Sequence, residues 1–174
     1  MALEGNVHRF KKPDGNDNDI NTDYIISGRY KFQCEDYNEL AKHIMEDLDA
    51  NFYTKISKGD FIVAGENFGC GSSREQAPIV IIHSGISAVI AKSFARIFFR
   101  NAFNKGLPLI ECDTDKIDAG DKLRLDLENG ILKNTTKNQE IKFKPIPKLM
   151  LKLLNDGGLI EHFKKNKGFF NICE

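Results

Sequence analysis

The sequence predicts an α/β domain with a mixed sheet, on three observations. Phe61-Ile62-Val63-Ala64 and Ala88-Val89-Ile90-Ala91 are short, wholly apolar runs, as expected of strands buried on both faces in a parallel sheet. Helical stretches follow each of them, so strand and helix alternate through residues 61–111. Beyond residue 120 the pattern becomes an alternation around Leu123, Leu125 and Leu127 with a turn at Glu128-Asn129-Gly130, which reads as antiparallel hairpins. The length of 174 residues suits one domain, 1–174, with its own core.

The elements follow in order. Val7-His8-Arg9-Phe10 alternates as a short strand, and Pro13 to Asp19 is turn-forming by composition. Ile20 to Ile26 continues this loop toward a short strand or turn. Its aspartates do not make a calcium loop. With Asp17 as first ligand, the sixth position is Thr22 rather than glycine and the twelfth is Gly28 rather than glutamate. Leu40, Ala41, Ile44, Met45 and Leu48 recur at helical spacing and predict a helix over 37–48, with Glu35 and Asp36 at its start. Asn51-Phe52-Tyr53 is its exit, and Lys58-Gly59-Asp60 turns into the strand at 61–64.

A helix is expected over Gln76 to His83, ended near Gly85, and then the strand at 88–91. Ser93 is expected to cap a helix over 94–104, closed by Gly106. Leu107 to Glu111 is another short strand. Strands over 122–127, 131–134 and 140–143 come next. Helices over 147–154 and 159–165, parted by Gly157-Gly158, complete the chain.

Composition excludes several functions. Lysine plus arginine balances aspartate plus glutamate at 25 each, which argues against a nucleic-acid partner. No apolar run approaches the ~20 residues that span a bilayer, so no membrane association is expected. The N-terminus lacks the order of a secretory signal, and the cytoplasm is the default location. Cys34, Cys70, Cys112 and Cys173 are scattered, without zinc or iron–sulfur spacing, and read as reduced thiols. His8, His43, His83 and His162 are equally dispersed, and His83 reads as a core or capping residue. No metal or other cofactor is expected on this chain.

The run Glu66-Asn67-Phe68-Gly69-Cys70-Gly71-Ser72-Ser73-Arg74-Glu75 carries the chemistry. It lies where a buried strand gives way to a buried helix, a junction whose unpaired N–H groups favour a bound anion. It is not a P-loop, because Ser72 rather than lysine follows Gly71. It is not a dinucleotide fingerprint, because Arg74 stands where glycine or alanine is needed. It is not a hydrolase elbow either, since neither serine has glycine two residues away on both sides. What remains is a serine pair and an arginine. Arginine grips carboxylates through paired hydrogen bonds, and a serine among N–H donors and cations can act as a base. The structural alternative is that Ser72 or Ser73 caps the helix while Arg74 pairs with Glu66 or Glu75. Lys92 and Arg96, in a second strand-to-helix run, suit the same sheet edge or a structural role.

These residues carry a resemblance. Glu66 to Ala77, Ala91-Lys92-Ser93-Phe94-Ala95-Arg96-Ile97 and Gly106-Leu107-Pro108 resemble the swivel domain of the aconitase superfamily. Asn21 to Ile26 and Gly157-Gly158-Leu159-Ile160 match its N-terminal and closing motifs, so the resemblance spans nearly the whole chain. It implies a three-layer β/β/α swivelling domain. The length is similar to that of free-standing small subunits of 3-isopropylmalate dehydratase and of homoaconitase-like relatives. The resemblance implies Ser72 as general base, with Ser73, Arg74 and Gly71 binding a substrate carboxylate. Gln76 departs from the histidine commoner in the family. The loop after Gly28-Arg29-Tyr30, which selects the substrate side chain in relatives, reads Lys31-Phe32-Gln33-Cys34 and matches no known specificity signature. Arg29 and Lys31 are candidates to reach the substrate from this loop, or solvated surface charges.

The implied reaction is isomerisation of a small 2-hydroxy di- or tricarboxylic acid, 2- and 3-isopropylmalate in leucine biosynthesis, by dehydration and rehydration. Homoaconitate, dimethylmalate or methylcitrate chemistry is the alternative, and a non-catalytic anion-binding module is the other class. Dehydration needs a base and an electrophile together. The chain offers only the first, so the resemblance implies a large, aconitase-like partner subunit carrying a [4Fe-4S] cluster.

Overall fold

The computed structural model describes residues 2–30 and 36–166. Strand β1 (Ala2–Arg9) starts the chain, followed by helix α1 (Thr22–Ile25) and a single 3-10 turn at Gly28–Tyr30. Helices α2 (Tyr37–Ala41) and α3 (Phe52–Lys55) precede the alternating core: β2 (Phe61–Val63), α4 (Gln76–His83), β3 (Ala88–Ala91), α5 (Arg96–Lys105) and β4 (Leu109–Glu111). Then come β5 (Lys122–Asp126), β6 (Ile131–Asn134) and β7 (Gln139–Lys142), and finally α6 (Lys148–Asp156) and α7 (Leu159–Asn166).

The strands form one mixed sheet in the order β4-β3-β2-β1-β5-β6-β7. β1 to β4 run parallel to one another, and β5 to β7 form an antiparallel meander on the other side of β1. The α/β class with a mixed sheet is therefore as the sequence predicts. β1 joins the two halves by changing neighbours along its length. Ala2 to Asn6 pair with β5, whereas Val7 to Arg9 pair with β2. The change-over needs bare backbone: a Cβ on Gly5 would lie 2.2 Å from the Gly59 carbonyl oxygen. β2 and β3 are buried at every position, which explains their unbroken apolar sequence. β5 alternates, with Leu123 and Leu125 in the core and Lys122 and Arg124 in solvent.

Three local expectations are corrected. The helix expected over 37–48 keeps its α-helical ladder only through Ala41. Met45 takes a left-handed backbone (φ 53°), and its N–H donates to the Ile25 carbonyl. A tertiary hydrogen bond thus replaces a helical one, while Leu40, Ile44 and Met45 still reach the core. The loop expected over 20–26 contains α1, capped by the Asn21 side chain, which accepts from the N–H groups of Asp23 and Tyr24. The third correction, at Ser93, belongs to the site below.

Candidate active site

The loop between β2 and α4 leaves the C-terminal edge of the parallel strands, where α/β folds place ligands. Asn67, Gly69 and Gly71 all take positive φ, at 56°, 77° and 88°. Glycine is required at 69 for a second reason: a Cβ there would lie 2.2 Å from Cγ of Phe98 on α5.

Two neighbouring segments clamp the loop. On one side, Asp19 N–H donates to the Glu66 carbonyl, Gly69 N–H to Ile20 and Thr22 N–H to Cys70. The buried Thr22 hydroxyl donates to the Ser72 carbonyl at 2.8 Å. On the other side, Phe68 N–H donates to the Ser93 carbonyl and Ala95 N–H to Phe68. Ser93 Oγ accepts from Asn67 N–H at 2.8 Å. Ser93 is therefore a bridge between the two strand-to-helix loops, whereas α5 starts at Arg96 without a side-chain cap. Phe68, Phe94 and Phe98 pack together beneath.

An open cleft of 520 Å³ lies over this loop, lined by Ser72, Ser73 and Arg74 on one wall and by Ala95 to Phe98 and Arg100 on the other. Ser72 and Ser73 are exposed, and neither hydroxyl bonds to another described residue. Glu75, not a serine, precedes the first helical residue of α4, and no side chain caps that helix. The N–H groups of Gly71, Ser72 and Ser73 likewise meet no acceptor among the described residues. Arg74 forms an ion pair with Asp23, and its Nη1 donates to the Ile26 carbonyl at 2.8 Å. Its Nη2 lies 3.3 Å from the position of a Cβ on Gly28. The pairing expected with Glu66 or Glu75 does not occur; α1 supplies the partner instead. A guanidinium has five donors, so three remain for an anion. No aspartate or glutamate lines the cleft, while Arg74, Arg96 and Arg100 do. Its field therefore favours anions.

The two described cysteines, Cys70 and Cys112, are held mainly as thiols. Partial burial, reinforced by the charge of Asp19, raises the Cys70 thiol above its ordinary pKa, and burial pushes Cys112 up to about 12. Among the described residues no group of three His, Cys, Asp or Glu side chains could hold a metal ion. The donors needed for an iron–sulfur cluster do not fit on these residues, and Cys34 and Cys173 lie outside them.

Comparison with known proteins gives the family. The aconitase C-terminal domain family matches residues 18–115, which contain both strand-to-helix loops. The chain is 57% identical to 3-isopropylmalate dehydratase small subunit 2 of Archaeoglobus fulgidus over 148 residues, covering 85% of this chain and 90% of that one. It is 54% identical to the 3-isopropylmalate dehydratase small subunit of Caldicellulosiruptor bescii over 166 residues, covering 94% and 96%. The chain belongs to the 3-isopropylmalate dehydratase small-subunit family of aconitase C-terminal domains. A crystal structure of 3-isopropylmalate dehydratase from Methanocaldococcus jannaschii superposes with a TM-score of 0.87 at 48% identity, over 96% of each chain. The fold is thus the aconitase-type swivel domain, as the motifs implied.

Within this small-subunit fold, the structure gathers Gly71, Ser72, Ser73 and Arg74 on one wall of the cleft. Arg29 lies elsewhere, with its Nη2 held by Glu46 at 3.2 Å and Asp47 at 2.9 Å. Lys31 lies outside the described residues. Lys92 is turned to Asp115, 2.8 Å away, while Arg96 lines the cleft. His83 is exposed rather than in the core, bonded to Asn38. Sequence reasoning gave no role to Thr22, Asp23 or Arg100. The signals were there: an Asn-capped turn at 21–23, and arginines four apart at 96 and 100 on one helical face.

Proposed function

We propose that this chain is the small subunit of a hydro-lyase that interconverts 2-isopropylmalate and 3-isopropylmalate by dehydration and rehydration, in the leucine branch of amino-acid biosynthesis in the cytoplasm. One observation carries the reading beyond kinship: the Ser72 hydroxyl and the N–H groups around it have no partner among the described residues, and they stand in an open cleft lined by no carboxylate among those residues.

In this reading Ser72 Oγ takes the proton from the substrate carbon beside a carboxylate. The electron pair of that C–H bond becomes the new double bond, and the neighbouring hydroxyl departs. Rehydration returns the proton from Oγ. A serine is a weak base in water, and the N–H groups of the loop and the Arg74 charge would stabilise its alkoxide once the partner subunit covers the cleft. Ser73, Arg74 and the Gly71 backbone hold a substrate carboxylate. Asp23 keeps the guanidinium aimed along the loop. A large partner subunit, on which the family resemblance puts a [4Fe-4S] cluster, would supply the electrophile for the departing hydroxyl. Substrate and subunit therefore meet at the same open face.

The test is reconstitution. The chain alone should fold and turn over neither isopropylmalate nor isopropylmaleate; addition of the large subunit should start turnover. Ser72→Ala should lower kcat by about 10²- to 10⁴-fold, the usual range for a proton-transfer group, with subunit association unchanged. Normal turnover by the Ser72→Ala complex, or a preference for homoaconitate over isopropylmaleate, would overturn the assignment.

A further inference from the structure

The far wall of the cleft has a property that substrate binding leaves unexplained. α5 carries Phe98, Ala102 and Phe103 into the core, while Arg96, Ile97, Arg100 and Asn104 share its outward face. Ile97 is 57% exposed, among the most exposed large apolar residues of the described chain. Arg96 and Arg100 flank it in sequence on the same helix, and neither guanidinium forms an ion pair or hydrogen bond with any described residue. By contrast, Arg9, Arg29 and Arg74 are all in ion pairs. α5 contains no acidic residue to neutralise them.

Resting on the function proposed above, we infer that the Arg96–Ile97–Arg100 lip of α5 is a docking contact for the large subunit, which meets it with an acidic surface around an apolar socket. A solvated β-branched residue flanked by arginines matches the composition of protein interface cores, in which apolar side chains and arginine are enriched. A second copy of this chain is the wrong occupant, because a two-fold contact through this lip would set arginine against arginine. The lip also borders the proposed serine base, so a partner seated on it would close the cleft from the side opposite Arg74. The two arginines would then steer association as well as fix its register.

The test uses titration calorimetry of the full chain with the large subunit of the same organism's enzyme, followed by turnover at saturating large subunit. Ile97→Asp should raise the subunit Kd by about tenfold or more, the loss expected of a central interface residue. Arg96→Glu with Arg100→Glu should weaken association further and flatten its salt dependence. Both substitutions lie on the outward face, and unchanged thermal melting of the free chain verifies folding. Should one variant melt early, the other carries the test. Unchanged subunit affinity in the folded variants overturns the inference. A wild-type pair that associates through this lip yet never turns over isopropylmalate would remove the proposed reaction and leave the docking contact standing. A wild-type pair that does not associate overturns both.

Discussion

Single residues at the cleft act through what holds them. Thr22 has no chemistry of its own, yet its buried hydroxyl is the tie between α1 and the Ser72 carbonyl. Thr22→Val keeps the shape and removes that tie. The expected cost is about 1 kcal/mol of stability, the net worth of one hydrogen bond, read from urea unfolding. The larger effect should fall on the reconstituted enzyme, as a lowered kcat with little change in KM, because Ser72 loses its fixed position. A purely structural threonine would lower stability and leave kcat alone. Arg74 teaches the same lesson in charge. The sequence shows a cation beside two serines, but only the fold reveals that Asp23, 51 positions earlier, orients it.

At the scale of elements, the site is a joint between two strand-to-helix loops. The first lies on α5 through Gly69, where backbone meets the Phe98 ring. Gly69→Ala should cost more than about 2 kcal/mol, because it combines an overpacked contact with a left-handed backbone that alanine resists. A lowered denaturation midpoint with an unchanged m-value would verify this; an unaltered midpoint would show that α5 can retreat. Most elements were legible in advance. The apolar runs at 61–64 and 88–91, the helix at 76–83 and the glycine at 106 all fall where pattern and propensity agree. Two of the three misses share one cause. Residues 42–48 have helical spacing, but Met45 bonds across to Ile25, and Ser93 looks like a cap yet serves Asn67. In each case a partner distant in sequence outbids the local preference, and local pattern carries no trace of that partner.

For the whole molecule, the two sheet halves are fastened at Asp60, just before β2. Its buried carboxylate accepts from Asn6 N–H and Nδ2, from Ser57 N–H, and lies 2.8 Å from His8 Nε2. Burial alone would raise its pKa, but these hydrogen bonds outweigh burial and hold it below the ordinary carboxylate value. A depressed folded-state pKa stabilises the fold at pH above the unfolded value of about 4, and the gain disappears as pH falls through the folded value. Asp121 and Asp156 are lowered too and act in the same direction. Thermal stability should therefore drop below about pH 4, and Asp60→Asn should be less stable at neutral pH with a shallower acid transition. An Asn variant with the wild-type acid profile would remove Asp60 from this role.

By itself the sequence determined the α/β class, the parallel core strands and the serine–arginine junction, because burial on two faces, helix periodicity and glycine chemistry are written locally. It also pointed to the family, through motifs that sit at that junction. Only the tertiary structure decided which charges share the cleft: it brought Arg96 and Arg100 to the rim, gave Lys92 to Asp115 and Arg29 to Glu46 and Asp47. The reason is physical. A charged side chain goes to whichever opposite charge the fold brings within reach, and that neighbour is set by strand order and loop packing rather than by the residues beside it in the chain.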